Sequence, residues 1–268
     1  MKKQPFFSLV YQDEQIAVVN KVSGIAVTPD RWDLSKERLD KLVAEFLGIE
    51  RVFTVHRIDR DTSGLVIFAK QSEAHKTLSA AFEQRTVKKR YIAVIHGRPL
   101  WDETVCDLPL IPNGNKLHHT IIDKYKGKKS RTSFRLLGKG GTYSVVEAIP
   151  ETGRTHQIRV HLAALGHTVV CDELYGTTKP VLLSAIKRGW RGDPSEERPL
   201  LSRLGLHAIE LGVPKYSSAS NGENNGENTE SPVTLYAPLH RDMAALINQL
   251  EKSSGVSISI TENDNCQR

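Results

Sequence analysis

Alternating apolar and polar runs divide the chain into short strands and amphipathic helices. Residues 16–19 are all apolar and form the centre of a strand predicted from Glu14 to Lys21, which is typical of a strand buried on both faces. Apolar positions three and four apart predict two helices, one capped by Ser35 and ended by Gly48, the other beginning at Ser72. The apolar positions are Leu39, Leu42, Val43 and Phe46 in the first helix and Ala74, Leu78 and Phe82 in the second.

The second half of the chain is dominated by strand patterns. Phe134 and Leu136 alternate with polar neighbours, and the Gly-rich run 138–141 predicts a hairpin turn. The predicted strands cover residues 90–96, 130–137, 142–149, 206–211 and 233–236. The predicted helices are 155–165, closed by Gly166, and a last helix that carries Met243, Leu246, Ile247 and Leu250. These elements together predict a mixed α+β protein dominated by sheet.

The domain organisation follows from where apolar residues are plentiful. A chain of 268 residues can bury a full core, and we expect one domain over residues 1–252. Residues 214–232 contain almost nothing apolar, so they are predicted to form a flexible surface loop between two strands. Residues 253–268 are predicted to form a disordered tail.

The composition argues against membrane and secreted proteins. No apolar run approaches the length that spans a bilayer, and the apolar patch near the start is too short for a secretory signal. The three cysteines, Cys106, Cys171 and Cys266, are odd in number and scattered, which favours free thiols in a reducing compartment. A cytoplasmic protein without a membrane partner is therefore expected.

Histidine and glycine spacings do not indicate a cofactor. His156 and His161 are five residues apart and His118 and His119 are adjacent, so neither pair has the i, i+4 spacing of zinc hydrolases. No glycine pattern typical of nucleotide binding opens a helix. We expect neither a metal nor a cofactor.

Positive charge is concentrated in one segment. The net charge is +6, and between Arg85 and Arg131 eleven Lys or Arg residues stand against four Asp or Glu. Such a segment suits a polyanion, because each neutralised phosphate releases counterions, although an ordinary solvated surface is the alternative reading. The candidate RNA contacts in its centre are Lys124, Lys126, Lys128 and Lys129.

The most distinctive stretch is His56-Arg57-Ile58-Asp59-Arg60-Asp61-Thr62-Ser63-Gly64, a polar segment that leads directly into an apolar strand. Taken alone, it could be a turn closed by Thr-Ser-Gly with a structural aspartate. The segment resembles the signature of the RluA family of RNA pseudouridine synthases, His-Arg-Leu-Asp followed by Thr-Ser-Gly, with Ile58 in the place of leucine. The resemblance implies that Asp59 is the nucleophile and that Arg57 contacts RNA or takes the place of the flipped base.

A second motif predicts the ionic partner of Asp59. A buried catalytic carboxylate must stay ionised although burial raises its pKa, and a facing guanidinium lowers the pKa again. Residues 152–161 are similar to the family pattern Thr-Gly-Arg-x-His-Gln-Ile-Arg-x-His, which assigns that partnership to Arg159. A surface helix arginine is the alternative reading. The resemblance also implies contacts with RNA or substrate from Arg154 and from His56.

Two further motifs complete the resemblance, which covers roughly residues 7–240 in chain order. Lys89-Arg90-Tyr91 begins a strand that resembles the family's third motif, which implies that Tyr91 stacks on the target uracil; an ordinary core tyrosine is the alternative. Leu206, in the pattern Leu-x-Leu-His-Ala, is implied to close the apolar side of the uracil pocket, although a strand leucine usually belongs to the core.

The resemblance implies a fold and a function. The fold is one catalytic domain on a long, bent, mainly antiparallel sheet with flanking helices and a central cleft. The function is conversion of a uridine in ribosomal or transfer RNA to pseudouridine by a cofactor-independent monomer, which extrudes the base from the RNA before reacting with it. The identity of the uridine is left open.

Two other functions compete with this interpretation. The first is a non-catalytic RNA-binding or folding protein of the same fold, against which the intact Asp59 argues. The second is a glycoside hydrolase that uses Asp59 and Asp61, but the two carboxylates of hydrolases flank the bond and usually come from separate strands.

Overall fold

The computed structural model describes residues 5–29, 37–115, 119–213 and 233–260. The predicted flexible loop 214–232 and His118 lie outside these residues. The described chain combines antiparallel sheet with a few helices, which confirms the predicted α+β class. None of the described helices is long and apolar enough to cross a bilayer.

The backbone forms two compact units. Unit 1 lies within Met1–Lys89 and Ala208–Pro238, and unit 2 lies within Arg90–His207 and Leu239–Arg268. Each unit is therefore assembled from two separate stretches of chain. The single catalytic domain over residues 1–252 stays a prediction.

Twelve strands and four helices are present among the described residues. The strands are β1 (Phe7–Gln12), β2 (Ile16–Lys21), β3 (Phe53–Thr54), β4 (Ser63–Ala69), β5 (Lys88–His96), β6 (Glu103–Cys106), β7 (Leu110–Ile111), β8 (Ile121–Ile122), β9 (Thr132–Gly140), β10 (Tyr143–Pro150), β11 (Leu206–Val213) and β12 (Val233–Tyr236). The helices are α1 (Leu39–Leu47), α2 (Ser72–Glu83), α3 (Gln157–Ala164) and α4 (Arg241–Ser254).

Unit 1 is built around two completely buried strands. β2 pairs antiparallel with β1 and with β4, β3 also pairs with β4, and β12 pairs with β11. Every residue of β2 and of β4 is buried, as the continuous apolar run of β2 predicted. The apolar side of α2, with Ala74 and Leu78, joins the same core, which confirms the helical spacing in that segment.

Unit 2 contains the antiparallel order β5–β10–β9–β6 and a separate pair, β7 with β8. The four apolar positions predicted for the last helix are all buried in α4, which confirms that prediction. α3 is buried on almost every side, because Gln157 to Leu162 are all buried. A helix with polar residues buried all round needs partners for each of them, and α3 carries the second motif.

The start of α1 differs from the sequence prediction. The helix ends at Gly48 in the left-handed conformation (φ 66°), as predicted, and it begins at Leu39 after Arg38. The predicted cap, Ser35, lies outside the described residues. Asp40 instead stabilises the first turn, because its carboxylate accepts hydrogen bonds from Arg38 Nε and from the N–H of Lys41, both at 2.8 Å. Phe46, which is predicted on the apolar face, is 60% exposed.

The predicted hairpin turn at residues 138–141 is also corrected. β9 continues to Gly140 and pairs there with Tyr143, so the turn consists of Gly141, at φ 57°, and Thr142. The other glycines serve packing rather than the turn. A Cβ at Gly140 would lie 2.7 Å from the carbonyl oxygen of Leu250 in α4, so only glycine lets the helix approach β9 this closely.

The predicted disordered tail begins inside α4; its residues 253–260 belong to the described chain, and residues 261–268 lie outside it. Ile258 is only 4% exposed and fills the space left by Gly138, where a Cβ would lie 2.6 Å from its side chain. The N–H of Ile258 donates to Glu251 Oε1 at 2.7 Å, and the carbonyl of Ile260 accepts from Arg90 Nη1 at 2.7 Å. A single buried isoleucine and two hydrogen bonds therefore order a polar segment.

Candidate active site

In unit 1 the first motif forms an irregular segment that ends in β4. Arg57 is exposed, Ile58 is buried and Asp59 is half-buried, so the buried isoleucine anchors the segment between the two side chains that are predicted to be functional. The carbonyl of Asp59 accepts a hydrogen bond from the N–H of Thr62, which closes a turn after it. Within unit 1 as described, the Asp59 carboxylate makes no hydrogen bond or ion pair, so it is available for chemistry.

A buried lysine fixes the backbone next to Asp59. The side chain of Lys21 is fully buried, and its Nζ donates to the carbonyls of Val22, Ile25 and Arg60 at 2.9, 2.9 and 2.7 Å. The N–H of Gly24 donates to the same Arg60 carbonyl at 2.9 Å. A buried ammonium is tolerated only with such acceptors, so the turn after β2 and the segment that carries Asp59 are held as one structure.

His56 takes part in the framework of unit 1. Its Nε2 accepts a hydrogen bond from the N–H of Ile67 in β4 at 3.0 Å, and its ring stacks on Phe82 of α2 with centroids 4.5 Å apart. Burial, and then the positive charge of Lys89, lower the pKa of His56 to about 3. The imidazole is therefore neutral at physiological pH and holds the first motif to the core. Its contact with RNA stays a prediction.

The structure explains why the first motif ends in a glycine, Gly64. Gly64 has φ 113°, and a Cβ on it would overlap the backbone oxygen of Ala208 and lie 2.5 Å from its nitrogen. Both residues belong to unit 1, where the start of β4 lies directly against the backbone of Ala208. Glycine is therefore required twice, by its conformation and by the lack of space.

In unit 2 the second motif brings a buried guanidinium to α3. Arg159 Nε and Nη2 donate to the two carboxylate oxygens of Asp172 at 2.7 and 2.6 Å, while the side chains are 3% and 0% exposed. Burial alone would raise the pKa of Asp172, but the hydrogen bonds and charge of Arg159 outweigh burial and hold the pKa below its usual range. This bidentate pair uses two of the five N–H donors of the guanidinium.

Tyr175 extends this ion pair towards the start of α3. The Arg159 guanidinium lies over the Tyr175 ring at 5.1 Å, a cation–π contact. The Tyr175 hydroxyl accepts a hydrogen bond from the N–H of Thr120 and lies 2.9 Å from His156 Nδ1. Burial raises the pKa of Tyr175, so the phenol stays protonated and can donate to that nitrogen. His156 itself has φ 53°, and α3 begins one residue later.

Gln157 joins the loop before α3 to β9. Its Oε1 accepts hydrogen bonds from Thr152 Oγ1 at 2.7 Å and from the N–H of Arg154 at 3.0 Å. Its Nε2 donates to the carbonyl of Arg131 and to Thr132 Oγ1 at 3.0 and 2.9 Å. All four hydrogen-bonding positions of the amide are filled, so its role in the motif is to position the loop.

The structure brings Tyr91 and Leu206 into one apolar cluster of unit 2. Tyr91 is half-buried on β5 and packs against a cluster that contains Leu206 and Ile158, the neighbour of Arg159. Leu206 is 2% exposed. The core role of Leu206 is therefore shown, while its contact with uracil stays a prediction.

The four lysines of the basic segment lie on a turn that is held by hydrogen bonds, here called the lysine loop (residues 123–129). Asp123 Oδ1 accepts from the N–H groups of Tyr125 and Lys126, and these hydrogen bonds, that of Lys126 first, hold the pKa of Asp123 below its usual range. The four lysine residues are exposed. Arg154 Nε donates to the Lys129 carbonyl at 3.3 Å, so the second motif and the lysine loop are adjacent.

The predicted site residues are divided between the units. Unit 1 holds Asp59, Arg57 and His56, and unit 2 holds the others, including Tyr91 and Arg159. The Asp59–Arg159 partnership joins residues of different units and stays a prediction. Three residues that position the site were not predicted from the sequence, namely Lys21, Asp172 and Tyr175. Asp172 follows directly on the apolar residues 169–171, and a carboxylate there is the signal that could have revealed a buried partner for an arginine.

Comparisons with known proteins agree with this picture. A family model described as RNA pseudouridylate synthase matches residues 15–164. An uncharacterized RNA pseudouridine synthase of Zymomonas mobilis is 39% identical over 86% of this chain and 93% of its own. The ribosomal large subunit pseudouridine synthase D of Nitrosomonas europaea is 31% identical over 94% of this chain. These names confirm the resemblance inferred from the motifs.

The relatives differ in how much of their own length this chain matches. The chain spans 67% of the length of the Nitrosomonas europaea relative and 56% of a synthase D of Zymomonas mobilis. The solved structure of human RNA pseudouridylate synthase domain containing 1 has a TM-score of 0.61 and 27% identity, and covers 94% of this chain and 98% of its own. The chain thus shares its fold with a protein of similar length.

Gly64→Ala should destabilise the protein by more than about 2 kcal/mol, because the new Cβ combines backbone strain with overlap at Ala208. The matched control is Gly24→Ala, at φ 94° with no atom within 4 Å of the new Cβ, which should cost roughly 1 kcal/mol. Chemical denaturation of both variants measures the difference. Equal losses would mean that the close approach to Ala208 is not a constraint.

Asp172→Asn should cost about 3 kcal/mol or more of unfolding free energy, because the variant leaves a buried guanidinium uncompensated. Asp242→Asn is the control: Asp242 has the same bidentate geometry with Arg203, but its side chain is 38% exposed, so the loss should be clearly smaller. Since the pKa of Asp172 is lowered by folding, its contribution is present above the unfolded value of about 4 and is lost as pH falls further. Denaturation series at pH 7 and pH 3 check both points. A pH dependence unchanged by Asp172→Asn would contradict the assignment.

Proposed function

Because the chain belongs to the RNA pseudouridylate synthase family, we propose that it converts uridine to pseudouridine in RNA with Asp59 as the nucleophile. The observation that carries the proposal is the half-buried Asp59 carboxylate on a segment fixed by Lys21, inside the stretch 15–164 that the family model matches. Relatives are named for the large ribosomal subunit, so a uridine of ribosomal RNA is the first substrate to test, with transfer RNA as the second.

The reaction requires one glycosidic bond to break and another to form. The bond between ribose C1′ and N1 of uracil is cleaved, the base turns, C5 bonds to C1′, and the proton on C5 is lost while N1 gains one. The atoms of the nucleotide are conserved, so no oxidant or reductant takes part. The Asp59 carboxylate attacks the ribose or the base, and it must be ionised to do so. The bond that it forms to the nucleotide is broken again as the C5–C1′ product is completed, which restores the free carboxylate.

Arg159 is proposed to keep Asp59 ionised. Asp172 accepts hydrogen bonds from Nε and Nη2 and thereby fixes the plane of the guanidinium. A guanidinium fixed in this way needs no reorganisation when a second carboxylate approaches it. In this proposal Asp172 positions Arg159, and Arg159 acts on Asp59.

The base and the RNA chain are assigned to other residues. Tyr91 is proposed to stack on the extruded uracil, since it is only partly buried where it packs against the apolar cluster that includes Leu206. The exposed Arg57 is proposed to contact RNA beside Asp59, and Arg154 to contact it beside the lysine loop. We place the enzyme in the cytoplasm as a monomer.

Asp59→Asn should abolish pseudouridine formation without weakening RNA binding, because the amide keeps the size of the side chain and removes the reacting charge. The matched control is Asp61→Asn, which removes the same charge from an exposed side chain two residues along the segment. Tritium release from RNA labelled at uracil C5 measures turnover. A turnover of Asp59→Asn within about tenfold of wild type would rule out the nucleophile. Loss of turnover in both variants would favour a two-carboxylate mechanism.

Replacing Lys124 and Lys126 with Gln, and then all four lysines of the lysine loop, should weaken RNA binding in two steps. The slope of log K against log salt should fall by up to about 0.7–0.9 for each phosphate that the variant no longer neutralises. The effect should appear in the RNA concentration needed for half-maximal rate, because these exposed side chains offer charge rather than a reacting group. Salt slopes equal to wild type would show that the lysine loop is an ordinary solvated surface.

A further inference from the structure

Unit 2 contains a cavity that the proposed reaction does not use. It has a volume of about 800 Å³ and is lined by four cationic residues, Arg98, Lys187, Arg188 and Lys252. None of its lining residues belongs to the motifs around Asp59, Tyr91 or Arg159 or to the lysine loop. It is therefore a second concentration of positive charge, separate in sequence from the predicted RNA contacts.

The four cations converge without counterions. The lining residues include no aspartate or glutamate, and no ion pair in the described part of the chain involves any of the four. Like charges around one concavity repel each other, and the concave surface concentrates their field more than a flat one does. An anion in the cavity would remove that repulsion.

The cavity is bounded by ordered elements. Ile186 is 6% exposed, and the N–H groups of Ile186 and Lys187 both donate to the Leu183 carbonyl. The preceding Ser184 is fixed in turn, because its N–H and hydroxyl donate to the Glu197 carboxylate at 2.7 and 2.6 Å. Lys187 and Arg188 therefore project from a hydrogen-bonded turn rather than from an unsupported loop.

The size and lining of the cavity indicate the occupant. A volume of about 800 Å³ lies within the range of roughly 300–1,000 Å³ typical of sites for organic ligands, so the cavity is larger than one phosphate requires. Leu183 and Ile186 add an apolar wall beside the cations. Cations with an apolar wall suit a nucleotide unit, whose phosphate is charged and whose ribose and base have apolar faces.

We infer that this cavity binds the phosphodiester backbone of the RNA substrate, as a contact additional to the lysine loop; the inference rests on the proposed function. A cation in the cavity neutralises a phosphate and releases counterions, so it adds affinity without reading sequence. The site would then help to position a structured RNA whose reacting uridine lies elsewhere.

The test compares two charge-matched double variants. Lys187→Gln with Arg188→Gln removes two charges from the cavity, and Lys41→Gln with Lys76→Gln removes two from exposed positions on the helices of unit 1. The cavity variant should lower the salt slope of RNA binding by about 1.4–1.8 and raise the Kd by about fivefold or more relative to the control variant. Lys187→Arg with Arg188→Lys keeps both charges and should bind as wild type does. Melting curves verify that each variant is folded.

Each outcome decides between named possibilities. Equal salt slopes and Kd values for the cavity and control variants overturn the inference, whatever the turnover. Binding of inorganic phosphate or uridine monophosphate that the cavity variant loses, with RNA binding equal to the control, assigns the cavity to a small phosphorylated ligand and also overturns it. If wild type forms no pseudouridine while RNA binding still depends on the cavity, the proposed function fails and the RNA site stands.

Discussion

The guanidinium of Arg159 is buried in α3, so it needs an equally buried carboxylate as its partner. The start of α3 and the segment that follows the helix are positioned by this ion pair. Asp172 meets Arg159 with two hydrogen bonds, and both side chains are almost completely excluded from solvent. Tyr175 packs over the same guanidinium and bonds the start of the helix through His156. Since leaving either charge alone would be costly, one ion pair fixes the helix, the segment after α3 and the orientation of the arginine together.

Unit 1 also contains a buried charge, but its partners are neutral backbone carbonyls rather than a carboxylate. Lys21 is fully buried, and its ammonium donates hydrogen bonds to three backbone carbonyls. One of these carbonyls belongs to Arg60, the neighbour of Asp59. The residue proposed for chemistry is thus held by backbone hydrogen bonds, which leave its carboxylate unconstrained within that unit. His56 and Gly64 add a ring stack and a close backbone approach. Most residues of the long motifs therefore build the framework, and few of them react.

Periodicity predicted the elements well where one apolar face decides the structure. α2 and α4 follow their spacing, and β2 follows its apolar run. The failures share a cause. The glycines at 138 and 140 favoured a turn, but Ile258 and α4 pack against them, and that packing depends on residues more than a hundred positions away. Asp172 was missed for the same reason, because only the folded chain brings it to Arg159.

The charges of the chain separate into two groups with different consequences. The Glu147 carboxylate, whose side chain is 4% exposed, forms ion pairs with Arg90 and Arg135, and the buried Asp172 pairs with Arg159. Such pairs are largely shielded from salt and stabilise the fold. The lysine loop and the cations of the cavity are exposed and take part in no ion pair among the described residues. Salt should therefore weaken the proposed contact with RNA long before it weakens the fold, because the charges proposed to bind the polyanion are not the charges that hold the protein together.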